Sequence, residues 1–275
     1  MSNQSNLKLP FAGKLLITDM DGTLLDGKRL VSPENSKALR RFTEGGGLFT
    51  LATGRMNKTV KPYLEHLPVN VPGIIYNGAA IYDFANEKIL WHNCLPDSIG
   101  EIAVRILESF PGIGFQVFHG GEVYFAGQNS ETEKHSEREG FGPIIAPLDR
   151  IPKPWYKILL AWEPENLAQV EAWLRETGGD FHAVYSERQF LELLNPGVSK
   201  GHALERLVPM LGIPGLRVVA MGDNMNDIEM LKAADVGIAT ENALEAVKAA
   251  ADLCCCSNDS HAVAEVIGWM ESGAI

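Results

Sequence analysis

Short apolar runs recur through the first and last thirds of the chain, and polar turns and amphipathic stretches separate them. Uninterrupted apolar runs of about four to eight residues are typical of parallel strands that are buried on both faces. They predict strands at 14–19, 48–53, 73–76, 216–221, 235–239 and 253–256. Helices are predicted at 32–45 and 56–66, after 199, from about 225 and 243, and at the C-terminus. Repeated strand–helix units predict an α/β fold with a doubly wound parallel sheet.

The middle of the chain has a different pattern. Hairpin-like strands are predicted at 113–118 and 121–126, further strands at 156–162 and 190–194, and amphipathic helices near 97–109 and 164–177. This mixture is typical of an α+β domain. We therefore predict a core domain made of residues 1–82 and 191–275, with a smaller domain, residues 83–190, inserted into it.

Polar residues follow three of the predicted parallel strands at the point where each strand ends. Asp19 and Asp21 follow the first strand, Thr53 and Gly54 follow the second, and Asp223 follows the strand at 216–221. In open α/β sheets the carboxyl ends of the strands form the edge at which ligands bind. The sequence therefore places a candidate site at that edge.

Four stretches in a fixed order carry a family resemblance: Asp19-Met-Asp21-Gly-Thr23, Thr53-Gly-Arg55, Lys200 within Gly-Val-Ser-Lys-Gly, and Gly222-Asp-Asn-Met-Asn-Asp227. Together with the α+β insertion between the second and third, they resemble the haloacid dehalogenase (HAD) superfamily. The nearest branch is its Cof-type subfamily IIB of cytoplasmic sugar-phosphate phosphatases. The resemblance implies a Rossmann-like HAD core with an inserted cap domain of the C2B type, which selects the substrate.

The residues at the strand ends suit phosphoryl transfer from a phosphate monoester. Such an ester is a dianion that repels nucleophiles, so its charge must be neutralised first. Asp19 is the expected nucleophile and would form an aspartyl phosphate. Asp21 would protonate the leaving alkoxide and then deprotonate the attacking water. Lys200 would pair with Asp19 and offset charge on the transferring group.

Several further residues offer groups that bind a phosphate or the rest of a substrate. Thr53 supplies a hydroxyl, Gly54 an unobstructed backbone N–H, and Asn226 a side-chain amide. Met20 offers only its backbone, because a thioether gives an anion nothing to bind. The family resemblance also indicates Asn77 at the domain junction, although Asn-Gly is equally a common turn.

A divalent cation is the expected cofactor. Carboxylates are the hard oxygen ligands that Mg²⁺ prefers, and Mg²⁺ keeps several waters. The resemblance implies that Asp19 and Asp223 bind the ion by their side chains and Asp21 by its backbone carbonyl. It implies that Asp227 acts through water or supports the inner ligands.

Some candidates remain open at this stage. Arg55 either approaches the substrate's phosphate or forms an ion pair at a helix start. Four residues on the segment that leads back to the core are candidates for substrate selection: His182, Tyr185, Glu187 and Arg188.

We predict a magnesium-dependent phosphatase that hydrolyses a small phosphorylated metabolite, with sugar phosphates favoured. One alternative is a phosphomutase or phosphotransferase on the same fold, which would deliver the phosphoryl group to a second hydroxyl. The other alternative is a non-enzymatic receiver or sensor that is merely phosphorylated on Asp19.

Composition narrows the partners and the cellular location. The formal net charge of −11 argues against binding to nucleic acid, which needs clustered Lys and Arg. No apolar run is long enough to span a membrane, and residues 1–14 lack the basic start and apolar centre of a signal peptide. We therefore expect a cytoplasmic protein with no membrane partner. Both a monomer and a homodimer are compatible with the sequence.

Overall fold

The computed structural model describes residues 9–275 of the chain. Residues 1–8, on which the expectation about a signal peptide partly rests, lie outside the described residues. Within residues 9–275, no helix is both long enough and apolar enough to cross a membrane.

The described chain contains the following strands and α-helices. The strands are β1 (Lys14–Thr18), β2 (Leu48–Leu51), β3 (Gly73–Ile75), β4 (Ala80–Asp83), β5 (Lys88–His92), β6 (Gly114–His119), β7 (Glu122–Gly127), β8 (Ile144–Ile145), β9 (Lys157–Ala161), β10 (His182–Glu187), β11 (Phe190–Leu194), β12 (Arg217–Gly222), β13 (Val236–Ala239) and β14 (Leu253–Cys254). The helices are α1 (Pro33–Glu44), α2 (Asn57–Leu64), α3 (Ile99–Ser109), α4 (Ser130–Glu139), α5 (Pro164–Thr177), α6 (Lys200–Met210), α7 (Ile228–Ala233), α8 (Glu245–Lys248) and α9 (Ala262–Ser272).

The central sheet confirms the predicted parallel α/β core. Its order is β14-β13-β12-β1-β2, and every neighbouring pair is parallel. Strand β1 lies between β12 and β2, so Ile17 pairs with Ala220 on one side and Thr50 on the other. The ends of these three strands consequently meet at one edge.

Side chains of β1 are buried on both faces of this sheet, which explains its continuous apolar run. Leu16 belongs to a hydrophobic cluster with Phe42 of α1 and Val266 of α9. Its neighbour Leu15 belongs to the opposite cluster, which includes Leu207 of α6. Helices therefore cover both faces, as a doubly wound sheet requires.

A small antiparallel sheet differs from the prediction. Strand β3 is linked to the central sheet by a parallel bridge between Ala52 and Ile74 and not by a regular ladder. It pairs with β4, which pairs with β5. The sequence predicted no strands at β4 and β5. The strand predicted at 253–256 also ends at Cys254, so Cys255 and Cys256 lie outside it.

The insertion forms a six-stranded sheet with the order β10-β11-β9-β6-β7-β8. We call residues 99–194, which hold this sheet with α3, α4 and α5, the middle segment. Strand β11 was assigned to the core in the sequence-based division, but it pairs with β9 and β10. The second crossing back to the core therefore follows Leu194. The other predicted boundary, between residues 82 and 83, falls inside β4.

The two faces of this sheet have different neighbours. One face packs with α3 and α5, where Ile106 and Leu167 contact strand residues such as Leu160. The other face meets the core domain, where Phe118 and Phe190 share a cluster with Tyr76. The middle segment thus packs on the core through an apolar interface on this face of its sheet.

Helix α4 was not predicted from the sequence. Its sequence, Ser-Glu-Thr-Glu-Lys-His-Ser-Glu-Arg-Glu, has no apolar stripe, and only Thr132 and His135 are buried. Its ends are nevertheless well defined, since Asn129 and Thr132 form a capping box and Gly140 adopts a left-handed conformation after the last turn. Capping rather than amphipathicity therefore marks this helix.

A buried ion pair in the sheet of the middle segment is hydrogen-bonded to the core. Lys157 of β9 donates to Glu192 of β11 at 2.8 Å and to the backbone carbonyl of Gly54 in the core at 2.9 Å. Glu192 also accepts from Asn77 of the core at 2.7 Å. Both charged side chains are 3% exposed or less, so each depends on the other for compensation.

We expect Glu192→Gln to lower the free energy of unfolding by about 3–5 kcal/mol, because it leaves the buried Lys157 ammonium without a counterion. Urea unfolding of wild type and variant measures the change. The double variant Lys157→Met/Glu192→Leu is the matched control and should recover much of the loss, since both charges are removed. A single variant as stable as the wild type would contradict this role for the pair.

Candidate active site

Three carboxylates converge at the edge formed by the strand ends. Asp19 follows β1, Asp223 follows β12, and Asp227 ends the short 3₁₀ turn Met225–Asp227. Each contributes an oxygen to a group in which all three oxygens lie within 4.8 Å of one another. The parallel order of β1 and β12 brings together residues that are about two hundred positions apart.

Gly22 permits the close approach of the first loop to this cluster. Its φ is +83°, and a Cβ at this position would lie 2.3 Å from Oδ2 of Asp223. Any other residue would therefore push the Asp223 carboxylate away. Thr23, the next residue, donates its hydroxyl to Oδ1 of Asp223 at 2.7 Å and fixes the orientation of that carboxylate.

Lys200 lies behind the cluster at the first turn of α6 and is 1% exposed. Its ammonium donates to Oδ1 of Asp19 and to Oδ1 of Asp227, both at 2.6 Å. Burial opposes its charge, but the two carboxylates outweigh that effect and raise the pKa of Lys200 above its usual value. The lysine is therefore held as a cation.

The second oxygen of Asp227 supports the loop backbone. It accepts from the backbone N–H groups of Asp223 and Asn224, each at 3.0 Å. With Oδ1 on Lys200, both oxygens of Asp227 have protein partners. Asp227 therefore orients Asp223 and Lys200 around the cluster.

Negative charge exceeds positive charge at this point of the structure. Burial, together with the neighbouring Asp227 carboxylate, raises the pKa of Asp223 to about 7, although Thr23 and Lys200 oppose the change. Burial also raises the pKa of Asp19 well above its usual value, and Lys200 offsets this only in part. Three carboxylates beside one ammonium form a set of oxygen donors that fits a divalent cation.

The side chain of Asp21 is held in ion pairs. Arg55 donates to its two oxygens at 2.7 and 2.8 Å, and Arg29 lies 3.2 Å away. Burial by itself would raise the pKa of Asp21, but the hydrogen bonds and charge of Arg55 outweigh it and lower that pKa. Of the two possibilities left open for Arg55, the structure shows the ion pair.

The middle segment contributes directly to this arrangement. Glu139, the last residue of α4, accepts from Arg29 at 2.6 Å and lies 2.8 Å from Arg55. Asp21, Arg29, Arg55 and Glu139 therefore form a closed ring of alternating charges, which we call the charge ring. It joins the proposed proton-transfer residue of the core to the middle segment.

The predicted substrate-binding residues are placed in different surroundings. Thr53 accepts from the backbone N–H of Arg55 at 3.1 Å, and Gly54 lies so close to Asn77 that a Cβ would be 2.9 Å from its Oδ1. Asn226 donates to Oδ1 of Asn77 at 2.9 Å. Met20 has its side chain wholly buried in the hydrophobic core, so only its backbone is near the site.

A cavity of about 250 Å³ lies between the strand ends and the middle segment. Six of the predicted residues line it: Asp19, Asp21, Thr53, Gly54, Asp223 and Asn226. Lys200 and Asp227 lie behind Asp19, and Asn77 lies behind Asn226. Among the four weaker candidates of the return segment, only Glu187 is part of the lining.

Sequence reasoning missed several residues of the cavity. Glu192 interrupts the apolar strand Phe-Leu-Glu-Leu-Leu, and Lys157 begins the otherwise apolar strand Lys-Ile-Leu-Leu-Ala, so a charged residue in an apolar run was an available signal. His135 and Glu139 lie on the unpredicted helix α4, and Arg29 lies in a polar loop. Their local sequences carry no comparable signal.

A parallel α/β core with a carboxylate cluster at its strand ends, facing a second sheet across a small cavity, defines a hydrolase of the α/β class. A sequence profile of the haloacid dehalogenase-like hydrolases matches residues 16–267. The chain therefore belongs to that family, as the motifs predicted.

Individual relatives are similar along nearly the whole chain. Phosphatase YwpJ of Bacillus subtilis is 32% identical, with 92% of this chain and 98% of the relative covered. The pyridoxal phosphate phosphatase YbhA of Escherichia coli is 26% identical over 92% of this chain and 97% of its own. A crystal structure of a haloacid dehalogenase-like hydrolase from Bacteroides thetaiotaomicron superposes with a TM-score of 0.82 at 29% identity, covering 93% of this chain and 98% of the other. These similarities place the chain among the phosphatases of its family.

The raised pKa of Asp223 generates a prediction about pH. In metal-free protein the Asp223 carboxyl stays neutral in the folded state up to about pH 7, whereas in the unfolded state it ionises near pH 3.8. Raising the pH from about 4 to 7 therefore stabilises the unfolded state relative to the folded state. We expect the melting temperature of wild type, relative to Asp223→Asn, to fall as pH rises from about 4 to 7 in EDTA. Differential scanning fluorimetry checks this. A constant difference across that range would contradict the assignment.

Proposed function

We propose that the protein hydrolyses small phosphate monoesters with the help of Mg²⁺ and through an aspartyl-phosphate intermediate. The observation that carries this proposal is the convergence of Asp19, Asp223 and Asp227 around the buried ammonium of Lys200. Haloacid dehalogenase-like hydrolases generally use Mg²⁺, and this donor set suits that ion. Asp19 and Asp223 would hold it by their side chains, with the backbone carbonyl of Asp21 and the support of Asp227. When bound, it would neutralise charge on the phosphoryl group.

Asp19 is the nucleophile in this proposal. Its Oδ1 accepts from Lys200, and this contact fixes the carboxylate and leaves Oδ2 to attack phosphorus. Positioning of this kind supplies much of the rate enhancement in such a reaction. Lys200 also remains cationic beside the transferring group and stabilises its developing charge.

Asp21 moves protons in both halves of the reaction. Paired with Arg55 and Arg29, it is a carboxylate, which is the form needed to take a proton from the water that attacks the aspartyl phosphate. The earlier step requires a protonated Asp21 to donate to the leaving alkoxide, and the ion pairs oppose that form. Release of Asp21 from its two arginines would favour the acid.

The middle segment acts as a cap that excludes water and selects the leaving group. The cavity of about 250 Å³ is smaller than the roughly 300–1,000 Å³ of typical ligand pockets, which supports a small substrate. Sugar phosphates are the substrates favoured by the sequence. Pyridoxal phosphate is also a candidate, because it appears in the name of a relative.

The first rival is a phosphomutase or phosphotransferase on the same fold. Such an enzyme needs a second hydroxyl to accept the phosphoryl group, so release of inorganic phosphate without an added acceptor separates it from a phosphatase. The phosphatase relatives disfavour the second rival, a non-enzymatic sensor. Multiple turnover of a phosphate monoester would exclude it.

We expect Asp19→Asn to abolish phosphate release while the protein remains folded, because the amide keeps the shape of the side chain but cannot attack phosphorus. A phosphate-release screen with Mg²⁺ and circular dichroism measure the two properties. Asp149→Asn, which changes an exposed aspartate of the middle segment, is the matched control and should keep full activity. Turnover by Asp19→Asn would refute the assignment of the nucleophile.

We expect Asp21→Asn to reduce kcat by about 10²–10⁴ with alkyl phosphates, because it removes proton transfer to a poor leaving group. The loss should be smaller with aryl phosphates, whose leaving groups need less protonation. Steady-state kinetics with both substrate types give the comparison. Equal losses with the two types would indicate a structural effect instead.

A further inference from the structure

The middle segment gives the cavity an apolar wall. Phe118 of β6, Leu159 of β9, Phe190 of β11 and Phe141 after α4 all line it, and Met56 of the core adds to the same surface. Phe141 keeps part of its surface exposed. This wall faces the strand ends, so it would surround the leaving group of a substrate whose phosphoryl group lies at Asp19.

The charged side chains of the same wall already have protein partners. Lys157 is paired with Glu192, and Arg138 donates to Glu187 at 2.7 Å. Glu139 belongs to the charge ring. A sugar hydroxyl that bound any of these groups would have to share it with an existing ion pair.

Outside these ion pairs, two polar side chains among the described residues of this wall keep hydrogen-bonding capacity. His135 uses Nδ1 with Oε1 of Gln116 at 2.7 Å, which leaves its other ring nitrogen for a ligand. The hydroxyl of Ser186 makes no hydrogen bond within the described residues. A hexose brings four or more hydroxyls, and each buried one without a partner lowers affinity by roughly 5- to 100-fold.

Aromatic rings around His135 hold it in place. Its ring centroid lies 4.8 Å from that of Phe190 and 5.2 Å from that of Phe141. Burial, with the nearby Arg138, lowers the pKa of His135 well below its usual value, so the imidazole is neutral. It is therefore a hydrogen-bonding group for an uncharged polar atom and not a binding site for an anion.

We infer that the preferred substrate is a phosphate monoester whose leaving alcohol carries an aromatic or heteroaromatic ring with few hydroxyls. This inference rests on the proposed phosphatase function and departs from the sugar phosphates favoured by the sequence. The ring would lie against Phe141, Phe190 and Leu159. Its polar edge would meet His135 and Ser186. Such a ligand needs about two hydrogen bonds, which is the number the wall offers.

The test compares leaving alcohols of similar acidity. Wild-type protein with Mg²⁺ is assayed on benzyl phosphate, pyridoxine 5′-phosphate, cyclohexylmethyl phosphate and glucose 6-phosphate. Acetyl phosphate reports on the core chemistry alone, since its leaving group is too small to use the wall. We expect kcat/KM for the two aromatic esters, benzyl phosphate and pyridoxine 5′-phosphate, to exceed that for glucose 6-phosphate by about tenfold or more. We expect cyclohexylmethyl phosphate to be poorer than benzyl phosphate by about two- to tenfold.

Phe141→Leu keeps an apolar side chain and removes the ring. It should lower the kcat/KM ratio of benzyl phosphate to glucose 6-phosphate by about two- to tenfold. Phe110→Leu is the matched control, because Phe110 is a partly buried aromatic residue that packs on Trp173 on the opposite face of the middle segment. This control should leave the ratio unchanged.

The outcomes separate the two proposals. If glucose 6-phosphate is hydrolysed as well as or better than the two aromatic esters, the inference about the aromatic ring is wrong and the phosphatase function stands. If acetyl phosphate is hydrolysed but none of the esters is, the inference is wrong and only the phosphoryl-transfer chemistry of the core stands. A Phe141→Leu variant with the wild-type ratio also overturns it. If acetyl phosphate and every ester are left intact, the proposed function itself fails and the inference fails with it.

Discussion

The contact of one buried ammonium with two buried carboxylates underlies the whole site. Lys200 lies 2.6 Å from both Asp19 and Asp227 and has almost no contact with solvent. A buried charge without a counterion is strongly destabilising, so these three residues must stay together once the core has folded. Asp227 extends the constraint to the backbone of Asp223. The geometry of the candidate metal ligands therefore follows from the same contacts that satisfy the lysine.

A second set of charges connects this core to the middle segment. In the charge ring, Asp21 and Glu139 share Arg29 and Arg55. The position of α4, which carries Glu139, is therefore coupled to the protonation state of Asp21. The Lys157–Glu192 pair adds another polar link a short distance away. Both sets are neutral in themselves, whereas the carboxylate cluster is not. Among these three groups of charges, the excess negative charge thus lies where a divalent cation is expected.

The sequence predicted the core well because its signals are local. Buried strands appear as apolar runs, and a parallel order brings their ends together, which is why Asp19 and Asp223 could be assigned to one site. In the middle segment the sequence also predicted β6, β7, β9, β11, α3 and α5, but it missed α4 and assigned most of β11 to the core, for equally physical reasons. Helix α4 has no apolar stripe, and β11 reads as a core strand until its partners β9 and β10 are known.

The sequence by itself determined the family, the α/β core and the set of carboxylates, since each depends on residue types at short spacing after a strand. Only the tertiary structure decided how Asp21 is held and which charges of the middle segment are already paired. It also decided that Phe118, Phe141 and Phe190 line the cavity. These properties depend on contacts between residues far apart in the chain. A side chain's neighbours, and hence its charge and its remaining hydrogen-bonding capacity, are set only when those distant segments meet.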